Sequence, residues 1–286
     1  MNDSRDYDPN IDNDVIKSFG EEWKKFDYEN IEFNNDLDLQ FKAYSLPIDF
    51  SEFDPHSSVA ADFGAGSGRW TIRLAPYFTK IYAIDPSPGS IDVLVEKFKN
   101  SSKIKVLKES VGRNSILDNS LDLAMSLGVL HHLPDTAKGI EEIAKKIKTG
   151  GMLWCYLYYK LENKPRFYRI LFRTSVSVRL LVSHMPYSWR RIFADMIAFM
   201  IYLPLARLAR WLEMRGKNVA NFPLHHYANM PFLMMRNDAL DRFGTQLEQR
   251  FSREEISQML GRAGFDLTSL SFSEAEPFWT FSIKKL

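Results

Sequence analysis

The stretch VAADFGAGSG occupies residues 59–68, and a second apolar stretch, IYAID, follows at residues 81–85. Together they predict a strand, a glycine turn that opens a helix, and a second strand that ends in a carboxylate. Glycines at alternate positions let the backbone pass close to a ligand in conformations that a Cβ forbids. An acid at the tip of the next strand can accept hydrogen bonds from two ribose hydroxyls. The pattern therefore predicts a nucleoside-binding loop.

The spacing of the glycines separates two classes of nucleotide site. The dinucleotide pattern G-x-G-x-x-G needs a glycine at position 69, which is Arg69. The chain instead has D-x-G-x-G-x-G, which runs from Asp62 to Gly68. This spacing resembles the first motif of the class I methyltransferases that use S-adenosylmethionine. The alternative is a tight strand-to-helix turn that binds no ligand.

Three further segments resemble motifs of the same family, in the family's order. Residues 109–122 (ESVGRNSILDNSLD) align with its adenine loop. Residues 121–135 are similar to its fourth strand and the turn that follows, and residues 148–153 (KTGGML) to its entry into strand five. Four ordered motifs in one short segment rarely arise by chance, so we identify the chain as a member of this family.

The resemblance implies three groups of contacts to S-adenosylmethionine, or to its product S-adenosylhomocysteine. The glycine turn is implied to hold the methionine part, the tip of the second strand the ribose, and the end of the fourth strand the sulfonium. The implied residues are, in that order, Asp62, Gly64, Ala65, Gly66 and Gly68; Asp85 and Pro86; and Leu127 and Gly128.

Two further cofactor contacts are implied with alternatives. The adenine contact falls on Ser110 and Val111, although relatives usually place at the Ser110 position an aspartate that accepts from the adenine amino group. A hydroxyl can also accept a hydrogen bond, and Glu109 precedes it. An N-terminal helix often covers the cofactor in this family, which makes Trp23 a candidate lid residue. Simple packing of Trp23 against the core is the alternative.

The order of apolar stretches predicts an α/β fold. Alternating strands and helices over residues 57–159 indicate a parallel sheet with helices on both faces. By resemblance, the sheet is Rossmann-like, seven-stranded and mostly parallel, with a C-terminal antiparallel hairpin. The predicted divisions are a tail and lid helices at 1–56, the cofactor-binding core at 57–159, a helical insertion at 160–250 that forms the acceptor pocket, and a final helix and hairpin at 251–286. Ser252 and Glu255 have the spacing of a capping box at the start of that helix, and the hairpin strands are predicted at about 266–272 and 278–284.

Composition limits the class of protein. The chain has 286 residues, 45% of them hydrophobic, which suffices for one large core with an elaboration. Its single cysteine, Cys155, excludes an internal disulfide, and no metal site is predicted. With no recognisable signal peptide, we expect a cytoplasmic protein that is peripheral to a membrane if its insertion binds lipid.

Charge is distributed unevenly along the chain. Residues 1–54 hold 15 Asp/Glu against 5 Lys/Arg, a net charge of −10, whereas residues 160–216 hold 11 Lys/Arg against 3 Asp/Glu, a net charge of +8. The apolar run 196–206 is too short to span a bilayer by itself, which takes about 20 residues. Its basic neighbours fit three interpretations: a solvated face, a patch for an anionic acceptor or a lipid surface, or a homodimer interface. Nucleic acid is a less favoured partner, since no binding motif accompanies the arginines.

The candidate catalytic residues are His131, His132 and Tyr158. The two histidines follow the fourth strand, and histidine titrates near neutral pH, as a general base should. A structural role, with one imidazole bonded to the backbone, is the alternative. We expect methyl transfer to an O or N nucleophile of a small or medium-sized acceptor. The alternatives are a lipid or lipid-linked acceptor at a membrane surface, and a scaffold that binds the cofactor without catalysis.

Overall fold

The computed structural model describes residues 8–23, 31–162, 164–245, 247–274 and 279–286. It divides into two compact units. The first is Met1–Lys160 with Leu247–Leu286, and the second is Leu161–Gln246. The second unit covers most of the segment predicted as an insertion. That this segment forms the acceptor pocket stays a prediction.

A seven-stranded sheet forms the first unit. Its strand order is β3-β2-β1-β4-β5-β7-β6, and β1 to β5 are parallel. The order reverses between β1 and β4, and open α/β sheets bind ligands at the carboxyl ends of the strands beside such a reversal. The strands are β1 (Val59–Phe63), β2 (Lys80–Ile84), β3 (Ile104–Leu107), β4 (Leu121–Leu127), β5 (Ile147–Tyr156), β6 (Ser271–Phe272) and β7 (Thr280–Lys284).

The C-terminal strands are antiparallel, as predicted. β7 pairs with β5 in a register that places Phe281 opposite Cys155, and β6 pairs with the outer side of β7. The seven-stranded, mostly parallel sheet is confirmed. One detail was wrong, because the predicted strand at 266–272 is a strand only at its last two residues. The Asp266 carboxylate accepts from the N–H of Thr268 at 2.9 Å and starts a short 3-10 turn instead.

Helices cover both faces of this sheet. Along β1, Ala61 and Phe63 point into one apolar core and Ala60 into the other, as the alternation of a strand requires. The capping box predicted at Ser252 and Glu255 is confirmed at the start of the last helix. The helices of the whole chain are α1 (Asn13–Trp23), α2 (Ile31–Tyr44), α3 (Thr71–Leu74), α4 (Pro88–Phe98), α5 (Thr136–Lys146), α6 (Arg166–Ser183), α7 (Tyr187–Ile197), α8 (Leu203–Met214), α9 (Phe232–Gly244) and α10 (Arg253–Arg262).

The second unit contains α6 to α9 and has a core of its own. A π-helical segment, Ala198–Tyr202, joins α7 to α8 without a break. Small side chains let this helix approach α9 closely, with Ala198 and Ala206 packed beside Ala239. The continuous helix Ser188–Met214, called the long helix below, has 27 residues and is the one described helix whose length and composition would allow it to cross a membrane.

Candidate functional site

The glycine turn after β1 has a backbone that other residues rarely adopt. Gly64, Gly66 and Gly68 have φ values of +84°, +55° and +70°. A Cβ on Gly64 would lie 2.3 Å from the Val129 side chain, and one on Gly68 would lie 2.6 Å from the Phe98 ring. All three predicted cofactor glycines thus have a backbone conformation that favours glycine, and Gly64 and Gly68 also have no space for a side chain. Ala65 lies buried between the first two.

The carboxylate at the tip of β2 is bonded directly to this turn. Asp85 Oδ2 accepts from the backbone N–H of Gly66 at 2.9 Å, and Oδ1 accepts from that of Ser87 at 2.9 Å. The side chain is buried. Burial raises the pKa of the Asp85 carboxyl, and the N–H groups of Ser87 and Gly66 oppose that shift. The carboxylate is therefore fixed in one orientation, and each oxygen keeps a further lone pair for a ligand hydroxyl.

A second buried carboxylate lies at the end of β1. Asp62 Oδ2 accepts from the Thr71 hydroxyl at 2.5 Å, across the glycine turn. Burial raises the pKa of Asp62 to about 7, the Thr71 bond lowers it, and the negative charge of Asp85 raises it further. A carboxyl with this pKa is half-ionised at neutral pH, and a nearby cation would favour its charged form. Asp62 therefore suits the ammonium group of an amino acid.

The predicted adenine loop receives a carboxylate from a distant part of the chain. The Ser110 hydroxyl donates to Asp8 Oδ2 at 2.5 Å and accepts from the Arg113 N–H at 3.1 Å. Asp8 is buried, and a Cβ on Gly112 would lie 2.8 Å from its carboxylate. Glu109 instead accepts from Ser115 at the exposed end of the loop. An acid thus stands beside Ser110 although the loop's own sequence lacks one there.

Two hydrogen bonds hold the segment that carries Asp8. The Asn10 amide donates to the Asp135 carbonyl at 2.8 Å and accepts from the Asp135 N–H at 2.7 Å. Asp135 lies at the turn after β4, whereas Ser110 follows β3. Residues 8–10 therefore connect the turns after two strands. Val111, the other predicted adenine contact, is buried in the core.

Helix α1 packs against the beginning of α4, next to Asp85. A Cβ on Gly89 would lie 2.3 Å from the Gly20 carbonyl oxygen, so the two backbones touch. Pro86 is half-buried on the same turn. This contact brings α1 to the predicted ribose site. Trp23 ends α1, and its side chain lies outside the described part of the structure, so its lid role stays a prediction.

The end of β4 borders the glycine turn. Leu127 is buried, and Gly128 has a φ of +80° with its N–H bonded to the Tyr156 carbonyl at 3.3 Å. Val129 follows, and its side chain packs against Gly64, where a Cβ would lie only 2.3 Å from it. The two predicted sulfonium neighbours thus lie at the carboxyl end of β4. Because β1 pairs with β4 in parallel, the glycine turn that follows β1 lies at the same edge of the sheet.

The three predicted catalytic side chains lie together. The rings of His131 and Tyr158 stack at a centroid distance of 3.8 Å, and His132 lies 4.3 Å from His131. Within the described residues, neither ring nitrogen of the fully buried His131 has a hydrogen-bond partner. Burial lowers the pKa of His131 well below its usual value, and His132 and Arg250 add to that shift. His131 is therefore neutral at neutral pH.

His132 has a backbone partner. Its Nδ1 lies 2.7 Å from the Leu247 carbonyl oxygen. A carbonyl can only accept, so this contact places a proton on Nδ1. This is the backbone bond that the structural alternative requires, and the catalytic role of His132 stays a prediction.

Residues 247–251 complete this group, although the sequence placed most of them in the insertion. The Gln249 N–H donates to the His131 carbonyl at 3.0 Å, and the Phe251 N–H donates to the Tyr158 carbonyl at 2.8 Å. The Arg250 guanidinium lies 4.9 Å from the centre of the Tyr158 ring and pairs with Glu248 at 2.8 Å. Sequence reasoning missed Arg250 and Glu248, because no local motif marks them.

These residues fit an adenosyl amino acid. The turn excludes side chains where a ligand backbone would pass, Asp85 presents a fixed carboxylate, and Asp62 suits an ammonium group. Asp8 with Ser110 offers oxygen acceptors beyond β3. Among the described residues, no cluster of three or more His, Cys, Asp or Glu side chains could hold a metal ion.

A family model described as "Methyltransferase domain" matches residues 61–155. An uncharacterized methyltransferase of Mycobacterium bovis is 33% identical over 92 residues, which are 32% of this chain and 36% of that protein. Phosphoethanolamine N-methyltransferase 2 of Caenorhabditis elegans is 28% identical over 114 residues, 39% of this chain and 26% of that protein. The chain spans less than half the length of the curated relatives it matches.

The relatives' names differ in the acceptor. Beside phosphoethanolamine they include a sterol 4-C-methyltransferase and a demethylmenaquinone methyltransferase, so the shared segment does not specify an acceptor. The structure of the N-methyltransferase NodS from Bradyrhizobium japonicum with S-adenosylhomocysteine is 19% identical, covers 51% of this chain and 74% of that chain, and has a TM-score of 0.41.

Proposed function

The chain belongs, through residues 61–155, to the class I S-adenosylmethionine-dependent methyltransferases, and we propose that it transfers a methyl group to an O or N nucleophile of a small or medium-sized acceptor. S-adenosylmethionine is the cofactor of this family. The observation that supports the proposal most strongly is the bond from the Gly66 N–H to Asp85. It joins the turn assigned to the methionine part to the acid assigned to the ribose.

We assign the cofactor's polar groups to separate carboxylates. Asp62 takes the ammonium group, which favours the ionised form of a carboxyl whose pKa burial raises to about 7. Asp85 takes the ribose hydroxyls. Asp8 takes the adenine amino group, because it stands at Ser110 in place of the aspartate that relatives have there. The methyl group would then lie near Leu127 and Gly128.

The reaction places few demands on the protein. When bound, S-adenosylmethionine supplies a methyl group on a sulfonium centre, which is an excellent leaving group. The chain must hold the acceptor's lone pair in line with that carbon, about 3 Å away. It must also hold or remove a proton when the nucleophile is a hydroxyl or an ammonium group.

We assign the proton contact to His131. Its ring is neutral, so one nitrogen offers a lone pair and the other an N–H. Both nitrogens are buried without a partner among the described residues, which is costly unless a ligand or water bonds them. Tyr158 stacks on the ring and fixes its plane, while His132 is held by Leu247 and limits its movement.

A second candidate is the same reaction on a lipid or lipid-linked acceptor. Large apolar side chains are exposed on the second unit, among them Phe199 and Met200. Two relatives are named for a sterol and for demethylmenaquinone, which are both lipids, although the sterol enzyme is named for methylation at carbon, so they support the class of acceptor and not the nucleophile. In this case turnover would appear with acceptors presented in vesicles and not with water-soluble metabolites.

Turnover tests the proposal. The full chain is incubated with S-adenosylmethionine and fractions of a metabolite and lipid extract, and S-adenosylhomocysteine and methylated products are measured by mass spectrometry. We expect one fraction to raise S-adenosylhomocysteine formation, with a methyl group added at O or N. If the protein binds the cofactor but no fraction gives turnover, it is a non-catalytic binding protein. Methylation at carbon would contradict the assigned nucleophile.

A further inference from the structure

The long helix presents an apolar stripe to solvent. From Trp189 to Met200 its large exposed side chains recur at three- and four-residue spacing, which places them on one face of a helix, and Trp211 adds an exposed ring eleven residues further along. Phe199 is 63% exposed and Met200 is 66% exposed, far more than core residues of this size. The stripe, called the apolar stripe below, consists of Trp189, Ile192, Met196, Phe199, Met200 and Trp211.

The opposite face of the long helix is buried in the second unit. Ala194, Ala198, Tyr202 and Ala206 are buried, and the last three form a core with α9. Asp195 forms an ion pair with Arg236 of α9 at 2.7 Å. A helix that crossed a bilayer would have to leave α9 and carry Asp195 into hydrocarbon, which is costly. The long helix is therefore suited to lie along a surface, with only its stripe in apolar surroundings.

Helix α6 has the same two-sided character. Phe167, Ile170 and Leu181 are exposed, with exposed fractions of 57%, 63% and 69%. Val182, near the end of α6, packs into the same core as the long helix. Two neighbouring helices of one unit thus bury one face each and leave a second apolar face in solvent.

Arginines accompany these apolar faces. Arg166, Arg169, Arg173, Arg191 and Arg210 are exposed, and none forms an ion pair within the described part of the chain. Residues 161–246 hold 13 Lys/Arg against 5 Asp/Glu, a net charge of +8. An apolar face bordered by cations matches the boundary between the acyl chains and the headgroups of an anionic bilayer.

Charge also distinguishes a bilayer from a second copy of the chain. In a two-fold symmetric contact the same surface meets itself, so these arginines would face each other. Asp195 already pairs with Arg236, and Asp238 accepts from the Tyr227 hydroxyl. With 13 Lys/Arg against 5 Asp/Glu in the unit, a second copy does not hold enough acids to pair with its arginines. Anionic lipid headgroups have the negative charge that these arginines would bind, and acyl chains are apolar enough to cover the apolar stripe.

We propose that the second unit docks on the surface of an anionic membrane, with the apolar stripe of the long helix inserted parallel to the surface and the arginines bound to lipid headgroups. Trp189 and Trp211 lie near the two ends of the stripe, where amphipathic rings favour the headgroup level. This proposal does not depend on methyl transfer, because it concerns only the surface of the second unit.

Vesicle sedimentation of the full chain tests this inference. The probes are vesicles of phosphatidylcholine alone and vesicles with phosphatidylglycerol added. The test variant is Phe199→Asp with Met200→Asp. The control is Leu117→Asp, since Leu117 is a 76% exposed leucine of the first unit. We expect at least tenfold weaker binding to anionic vesicles for the test variant and none of this loss for the control.

A charge variant separates the two parts of the surface. Arg169→Glu with Arg173→Glu, and 0.5 M salt with the unchanged chain, should each reduce anionic-vesicle binding at least tenfold. Circular dichroism verifies folding, and if the Phe199/Met200 variant does not fold, the charge variant decides. The proposal is overturned if the unchanged chain does not bind anionic vesicles, or if Leu117→Asp loses as much binding as the Phe199/Met200 variant. It is also overturned if light scattering shows a dimer that the stripe variant dissociates while vesicles stay unbound.

Discussion

The Gly66 N–H donates to Asp85 Oδ2 at 2.9 Å, which links the glycine turn after β1 to the tip of β2. The N–H groups of Gly64 and Ala65 both donate to the Ile84 carbonyl at 2.9 Å and strengthen that link. A change to either strand end therefore moves both halves of the proposed cofactor site. Cofactor binding and the order of this turn should change together in every variant of Asp85.

Cofactor affinity should depend on pH through Asp62. Burial raises the pKa of Asp62 to about 7, so the carboxyl is mostly protonated at pH 6 and mostly ionised at pH 8. A bound ammonium group favours the ionised form, so binding releases a proton below pH 7. Affinity for S-adenosylhomocysteine should rise up to about tenfold per pH unit toward pH 7 and level off above it.

The control for this pH dependence is Asp62→Asn, which keeps the shape and removes the titrating group. Its affinity, measured by calorimetry from pH 6 to 8, should lose the rise that the unchanged chain shows. An equally steep rise in the variant would assign the pH dependence to another group.

Asp8 should select for the adenine amino group. Asp8→Ala should weaken S-adenosylhomocysteine binding by about 1 kcal/mol, since one hydrogen bond to a charged acceptor is lost. The same variant should bind S-inosylhomocysteine, which has an oxo group in place of the amino group, no worse than the unchanged chain. Asp14→Ala is the matched control, because Asp14 is an exposed acid of the same segment. Equal losses for both ligands would limit Asp8 to a structural role.

His131→Phe separates catalysis from packing. Phenylalanine keeps the stack on Tyr158 and removes two buried nitrogens that have no partner among the described residues. The melting temperature should therefore stay equal or rise, while kcat at saturating cofactor falls at least tenfold. Full turnover in a folded His131→Phe variant would show that the ring only packs.

The sequence specified the cofactor side of the site because its signals are local. Gly64 and Gly68 have positive φ, which requires glycine, so the turn is visible in the sequence as regularly spaced glycines. Asp85 follows Gly68 after 17 residues, which is enough chain for one helix and one strand. The parallel strands are short apolar runs between helices, so the parallel sheet was predictable from the pattern, whereas the number of strands and the antiparallel end came from the resemblance to the family. The outer strand was predicted too long, because Asp266 bonds its own backbone and ends the extended conformation.

The remainder of the site depends on contacts between distant parts of the chain. Asp8 reaches Ser110 across 102 residues, and Arg250 reaches Tyr158 only because residues 247–251 run beside the turn after β4. No spacing rule connects such pairs. The length of the long helix was underestimated for a different reason. The sequence showed an 11-residue apolar run containing Pro204, yet the helix continues because the π-helical segment precedes that proline.

The most direct test of the central claim is calorimetry of S-adenosylhomocysteine with the unchanged chain and Asp85→Ala. Asp92→Ala serves as control, since Asp92 is an exposed acid on α4. We predict one binding site in the unchanged chain and in the control, and a loss of about 1–3 kcal/mol in Asp85→Ala, because two charge-assisted hydrogen bonds disappear. No binding by the unchanged chain, or equal affinity in a folded Asp85→Ala variant, would contradict the assignment of this turn and carboxylate to the cofactor.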